Sequence, residues 1–126
     1  MVDYSSLTKG DVVAEESFHL TRDNLVRYAG ASGDFNPIHY RDDVAISVGL
    51  PGVLAHGMLT MGLAVQPVSN WVGDPARIVD YQVRFTRPVV VDPQLGAEFG
   101  VKVRERFVEE ENVHIPHQGA ADGHAL

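Results

Sequence analysis

The sequence predicts one α+β domain in which an antiparallel β-sheet wraps a long central helix. Three observations predict it. From residue 57 to about residue 71 the chain is apolar nearly all round (Met58, Leu59, Met61, Leu63, Ala64, Val65, Val68), as in a helix buried on most sides. Two later stretches alternate apolar and polar with period two, as strands with one buried face do. The length of 126 residues, with 44% hydrophobic and 21% charged side chains, suits one domain and excludes two.

Taken in order, the first element is a short helix opened by Leu20-Thr21-Arg22-Asp23-Asn24-Leu25 and running to about Ala29. Thr21 serves as N-cap, Asp23 suits the positive helix end, and Leu20 with Leu25 forms a hydrophobic staple. Residues 30–37 are too rich in Gly, Asn and Pro to be regular, and Pro37 pushes Asn36 out of helical space, so a shaped loop is expected. Asp42 and Asp43 open a second short helix that Gly49 ends. The long apolar helix contains Pro67, which removes one internal hydrogen bond, and Gly73-Asp74-Pro75 forces its exit, with Trp71 packed there. Val79, Tyr81, Val83 and Phe85 then alternate with Asp80, Gln82, Arg84 and Thr86, and Ala97, Phe99, Val101 and Val103 alternate with Glu98, Lys102 and Arg104. These two strands are expected to pair as a ribbon turning at Asp92-Pro93-Gln94-Leu95-Gly96. After Phe107 the pattern ends: Glu109-Glu110-Glu111-Asn112 is a charged turn, Val113-His114-Ile115 a remnant strand, and the rest small and polar.

Composition narrows the function classes. A net charge of −7 opposes phosphate backbones, so nucleic acid is not an expected partner. Lys102, Arg104 and Arg106 on one strand, and Arg84 and Thr86 on the other, read first as solvated faces. With no Cys, disulfides, zinc–thiolate sites and thiol nucleophiles are excluded. The first residues lack a basic and an apolar region, and Met58 to Val65 is too short to span a bilayer, so a cytoplasmic location without membrane contact is expected. His114, His117 and His124 lack a carboxylate or Cys frame, and no metal site is expected.

The chemistry concentrates in Gly33-Asp34-Phe35-Asn36-Pro37-Ile38-His39, which places a carboxylate and an imidazole on a loop stiffened by Pro37. Converging on one small volume, Asp34 and His39 make a general acid/base pair; the same spacing also suits an Asx turn at Asp34 beside a hydrogen-bonded, semi-buried His39. In Ala55-His56-Gly57-Met58-Leu59-Thr60 the first N–H groups of the apolar helix lack helical partners. Gly57 there offers an oxyanion an unobstructed N–H, or simply permits close packing. Together the two segments suit proton removal beside a thioester carbonyl.

Residues 28–39, Tyr28-Ala29-Gly30-Ala31-Ser32-Gly33-Asp34-Phe35-Asn36-Pro37-Ile38-His39, with Ala45 downstream, resemble the hydratase-2 motif of MaoC-like dehydratases and (R)-specific enoyl-CoA hydratases. His56-Gly57-Met58-Leu59-Thr60-Met61-Gly62, Trp71-Val72-Gly73-Asp74-Pro75 and residues 81–89 look, within that family, like the B subunits of type II fatty acid synthase (3R)-hydroxyacyl-acyl carrier protein dehydratases. The resemblance spans roughly Tyr4 to Val103. It implies a hot-dog fold, an antiparallel sheet around a long helix, assembled as a homodimer or as a heterodimer with a related hot-dog subunit. It implies Asp34 and His39 as the catalytic pair, Gly57 as the oxyanion-hole donor, and Asn36, His56 and Thr60 in support. Which member of the pair takes the carbon-bound proton is left open, because coupled groups share their protons.

The activity so implied is reversible dehydration of (3R)-hydroxyacyl thioesters to trans-2-enoyl thioesters, a hydro-lyase reaction of fatty acid metabolism and of fatty acid elongation in particular. It needs no cofactor beyond the pantetheine of an acyl-CoA or acyl-acyl carrier protein substrate. The domain is expected over residues 1–108, with an atypical polar tail over 109–126 where relatives continue with two further strands, so the C-terminal part of the sheet is expected to be incomplete. Two other readings are a catalytically impaired hot-dog subunit that supports a partner, and a hot-dog acyl-CoA thioesterase.

Overall fold

The computed structural model describes residues 2–104. The expected polar tail and its boundary, the remnant strand, Arg106 and the three C-terminal histidines lie outside the described residues. Five main elements follow in order: β1 (Val12–Leu20), α1 (Arg22–Ser32), α2 (Asp42–Ser47), α3 (Gly57–Val72) and β2 (Ala97–Arg104), with single 3₁₀ turns at Tyr4–Ser6, Pro37–His39 and Pro75–Arg77. The α+β expectation holds, since α3 packs against both β1 and β2.

The strand pairing differs from the expected ribbon. β2 pairs antiparallel with β1, from Val12 opposite Arg104 to Leu20 opposite Ala97. The sequence hides β1 because Val12, Val13 and Ala14 run together, and the register shifts at that point, between Val12 and Ala14. Residues 81–86 keep their alternation, with Tyr81, Val83 and Phe85 half-buried and Gln82, Arg84 and Thr86 exposed, whereas Val79, expected on the buried face, is 66% exposed; the stretch forms no strand ladder among the described residues. Alternation specifies a face; a ladder also needs a neighbouring backbone at the right spacing. The Asp92–Gly96 turn is present, closed by reciprocal backbone bonds of 3.2 and 3.0 Å. Gly96 is required there: its φ is +71°, and a side chain would collide with the Leu20 carbonyl.

Helix ends follow the local chemistry. Thr21 caps α1 reciprocally with Asn24, but the helix continues three residues past Ala29 to Ser32, because the left-handed residue that stops it is Gly33, at φ +76°. α3 runs through Pro67 to Val72 and stops at Gly73. It is less enclosed than its composition suggests: Met58, Gly62, Gln66 and Asn70, spaced by four, form an exposed stripe. Tyr81 donates its hydroxyl to the Met61 carbonyl of α3 at 2.7 Å, and burial pushes its phenol up to about 12, so it remains neutral. At the helix exit Trp71 meets the Tyr4 ring edge-on at 5.8 Å, the packing expected of it. No helix among the described residues is long and apolar enough to cross a membrane.

The core lies between α3, the two strands and α1. Leu25, Val53, Val68, Val91 and Phe99 are fully buried within it, and Phe99 faces Phe18 across the ladder. Phe99→Ala should destabilise the chain by about 3–5 kcal/mol, whereas Leu95→Ala, at a residue 79% exposed, should change stability by less than about 0.5 kcal/mol. Urea unfolding of the two variants checks the contrast.

Candidate active site

The loop after α1 is built by side chains accepting from backbone two residues on. Asp34 Oδ1 accepts the Asn36 N–H at 3.2 Å, and Asn36 Oδ1 accepts the Ile38 N–H at 3.2 Å. Asn36 thereby caps the 3₁₀ turn Pro37–His39, which carries the His39 ring inward. The loop is thus an Asx turn and a candidate acid/base pair at once: Oδ1 shapes the turn, while Oδ2 lies 3.7 Å from His39 Nε2. That separation is longer than a hydrogen bond, and a proton shared through a substrate oxygen needs only a small closure.

His39 is buried, and its Nδ1 lies 2.7 Å from the Leu54 carbonyl oxygen. A carbonyl only accepts, so Nδ1 carries the hydrogen and Nε2, facing Asp34, is the nitrogen left open for proton exchange. Leu54 is held in turn by its own N–H, which donates to Ile38 O at 3.1 Å.

His56, the N-cap residue of α3, stacks on His39 with ring centroids 3.8 Å apart and planes inclined by 21°. By the same reasoning its Nε2–H donates to the Asp34 carbonyl at 3.1 Å, which ties the Asp34 backbone to the start of α3. Tyr28 meets the His56 ring edge-on at 4.8 Å. His56 is 1% exposed, and its Nδ1 has no hydrogen-bond partner among the described residues. Burial lowers its affinity for a proton and His39 adds to this, outweighing the opposing effects of the Asp34 carbonyl and carboxylate.

Gly57 begins α3 and is exposed, and its N–H has no acceptor among the described residues. The Phe85 ring lies against it, 3.4 Å from where a side chain would begin. Thr60 donates its hydroxyl to the Gly57 carbonyl at 2.9 Å and so steadies this first turn. The structure therefore brings Asp34, His39, Asn36, His56, Gly57 and Thr60 into one region. Tyr28, Phe85 and the Leu54 carbonyl are additions. The two rings stood in the sequence segments without any signal of contact, and a carbonyl is common to every residue.

Asp34, His39 and His56 each bring a donor atom within 4.8 Å of the others. Stacked rings aim their lone pairs side by side rather than at one point, so a cation in the plane of one ring lies off the plane of the other. The arrangement suits proton transfer better than metal binding.

The neutral state of His56 has a measurable consequence. Its folded proton affinity is lowered from the ordinary value of 6.5, so the unfolded chain binds more protons, and this contribution to stability, complete above that value, is lost as pH falls below it. The urea midpoint should fall between about pH 7 and about pH 5, and should fall less in His56→Gln, which lacks an imidazole.

The family described as MaoC like domain matches residues 3–119 of this chain. The 3-hydroxyacyl-thioester dehydratase X of Mycobacterium tuberculosis (strain ATCC 25618 / H37Rv) is 36% identical over 77 residues, covering 61% of this chain and 26% of that protein. The chain therefore corresponds to about a quarter of that relative's length. Among solved structures, a MaoC-like dehydratase is 44% identical with a TM-score of 0.71, covering 80% of this chain and 32% of the other. The R-Hydratase PhaJ1 from Pseudomonas aeruginosa, in its unliganded form, is 28% identical with a TM-score of 0.66, covering 85% of this chain and 67% of the other. With the family matching nearly the whole chain and the solved relatives sharing its helix-on-sheet architecture, this protein belongs to the MaoC-like domain family and has the hot-dog fold.

Proposed function

We propose that this chain catalyses the reversible dehydration of (3R)-hydroxyacyl thioesters to trans-2-enoyl thioesters in fatty acid metabolism. One observation carries the reading: the His39 Nδ1–H is committed to the Leu54 carbonyl, so Nε2 is turned to Asp34 Oδ2, while His56, stacked on His39, immediately precedes Gly57, whose N–H has no acceptor among the described residues. Membership of the family and the name of the mycobacterial relative support the same chemistry.

In the dehydrating direction a proton leaves C2, the C3–O bond breaks, the C2=C3 bond forms, and the hydroxide departs as water. The Asp34/His39 pair takes the carbon-bound proton and supplies one to the leaving oxygen, so the pair ends the cycle with the protons it began with. Negative charge gathers on the thioester oxygen as C2 loses its proton. The Gly57 N–H, at the positive end of a sixteen-residue helix, receives that oxygen in this proposal. Hydration is the reverse path through the same groups. Asn36, His56 and Thr60 act by holding the loop, the Asp34 backbone and the helix start. No cofactor beyond the pantetheine arm of CoA or acyl carrier protein enters the proposal, and a cytoplasmic location belongs to it.

A paired assembly, homodimeric or with a related hot-dog subunit, is part of the same reading. Phe35 next to the catalytic Asp34 and Met58 next to Gly57 are 61% and 64% exposed, apolar surface that a second subunit would cover. The impaired-subunit reading differs in requiring a partner for turnover, and the thioesterase reading in releasing free thiol.

Asp34→Asn and His39→Gln should each lower kcat for hydration of a short trans-2-enoyl-CoA by about 100-fold or more while circular dichroism stays that of the parent. Near-parental turnover in either variant overturns the catalytic pair. Release of thiol from acyl-CoA without hydration favours the thioesterase, and activity that appears only on adding a related subunit favours the supporting role.

A further inference from the structure

The other ring nitrogen of His39 leads to an ion pair that the acid/base reading leaves unused. Arg22, the first residue of α1, grips Asp42, the first residue of α2, with both guanidinium ends: Nη2 to Oδ1 at 2.9 Å and Nη1 to Oδ2 at 3.1 Å. Its third donor, Nε, reaches the Val91 carbonyl at 2.6 Å. The side chain of Arg22 is 22% exposed, so the pair is partly shielded from water. The hydrogen bonds from Arg22 hold the Asp42 carboxyl below the usual carboxylate range.

Both partners of Arg22 hold the same residue. Asp42 Oδ1 accepts the Val53 N–H at 3.3 Å, and the Val91 N–H donates to the Val53 carbonyl at 2.9 Å. Val53 immediately precedes Leu54, whose carbonyl accepts from His39 Nδ1, and the following Ala55 N–H is tied to Val89 O at 2.8 Å. One guanidinium therefore sets, through one carboxylate and one carbonyl, where the acceptor for His39 lies.

We propose that Arg22 and Asp42 are positioning residues for His39: their clasp fixes the Leu54 carbonyl, which keeps the imidazole hydrogen on Nδ1 and leaves Nε2 toward Asp34. The inference rests on His39 being the reacting group. It extends the site to two residues outside the segment that bears the catalytic pair. A clasp that merely staples α1 to α2 would affect stability alone, whereas a positioning clasp also affects the state of the ring.

Arg22→Lys keeps the charge but not the three-donor fork, and Asp42→Asn keeps an acceptor for Val53 but not the ion pair. Each variant is made in the full chain and followed by three readouts: urea unfolding, kcat and KM on a short trans-2-enoyl-CoA, and nitrogen-15 NMR of the His39 ring, assigned by comparison with His39→Gln. The expected result is a folded protein in which the ring signal moves from the Nδ1–H form toward a mixture. With it, kcat should fall by about 10- to 100-fold while KM stays within about twofold. Folded variants that keep the parental ring signal overturn the proposal, whatever their activity, and so does loss of folding in both. If the parent chain shows no hydration, the proposed function fails. The ring signal then still decides whether the clasp governs the tautomer.

Discussion

The hydrogen bond from His39 to the Leu54 carbonyl is the constraint on which the site depends. A neutral imidazole has one donor and one acceptor nitrogen, and a carbonyl acceptor at 2.7 Å removes the ambiguity between them. Once Nδ1 is committed, the nitrogen left open to exchange is Nε2, which lies toward Asp34 Oδ2. The neighbouring features work toward that geometry: the 3₁₀ turn capped by Asn36 delivers the ring, the pairing of residues 53–55 with 89–91 delivers the carbonyl, and His56 delivers the Asp34 backbone.

This arrangement places the His56 imidazole in the interior, where burial makes a charge costly. Stacking at 3.8 Å makes simultaneous protonation worse, because like charges at that distance repel strongly in a poorly solvated site. His56 resolves the conflict by remaining neutral and using its one donor on a backbone carbonyl. The helix start adds an N–H without an acceptor among the described residues, and Gly57 keeps that N–H clear of any side chain of its own.

Much of this was legible along the chain. The Thr21 cap, the Asp34–His39 loop and the start of α3 are local features, written within a few residues by caps, Gly, Pro and apolar spacing. The strand Ala97–Arg104 was legible from its alternation, but its partner was not. β1 carries a register shift among three consecutive apolar residues, and pairing joins segments some 80 residues apart that local periodicity does not connect. For residues 81–86 the same limit works in the other direction, since a clear alternating face stands there without a ladder among the described residues.

The sequence by itself determined which reactive groups the chain brings together locally: a carboxylate and an imidazole on one stiff loop, and a glycine at the head of an apolar helix. Those depend on residue type and short spacing. Only the tertiary structure decided which nitrogen of His39 faces Asp34, that His56 lies flat against it, and that Arg22 and Asp42 hold the intervening backbone. The physical reason is that a backbone carbonyl has no sequence signature, and its direction is set by hydrogen bonds to distant strands and helices.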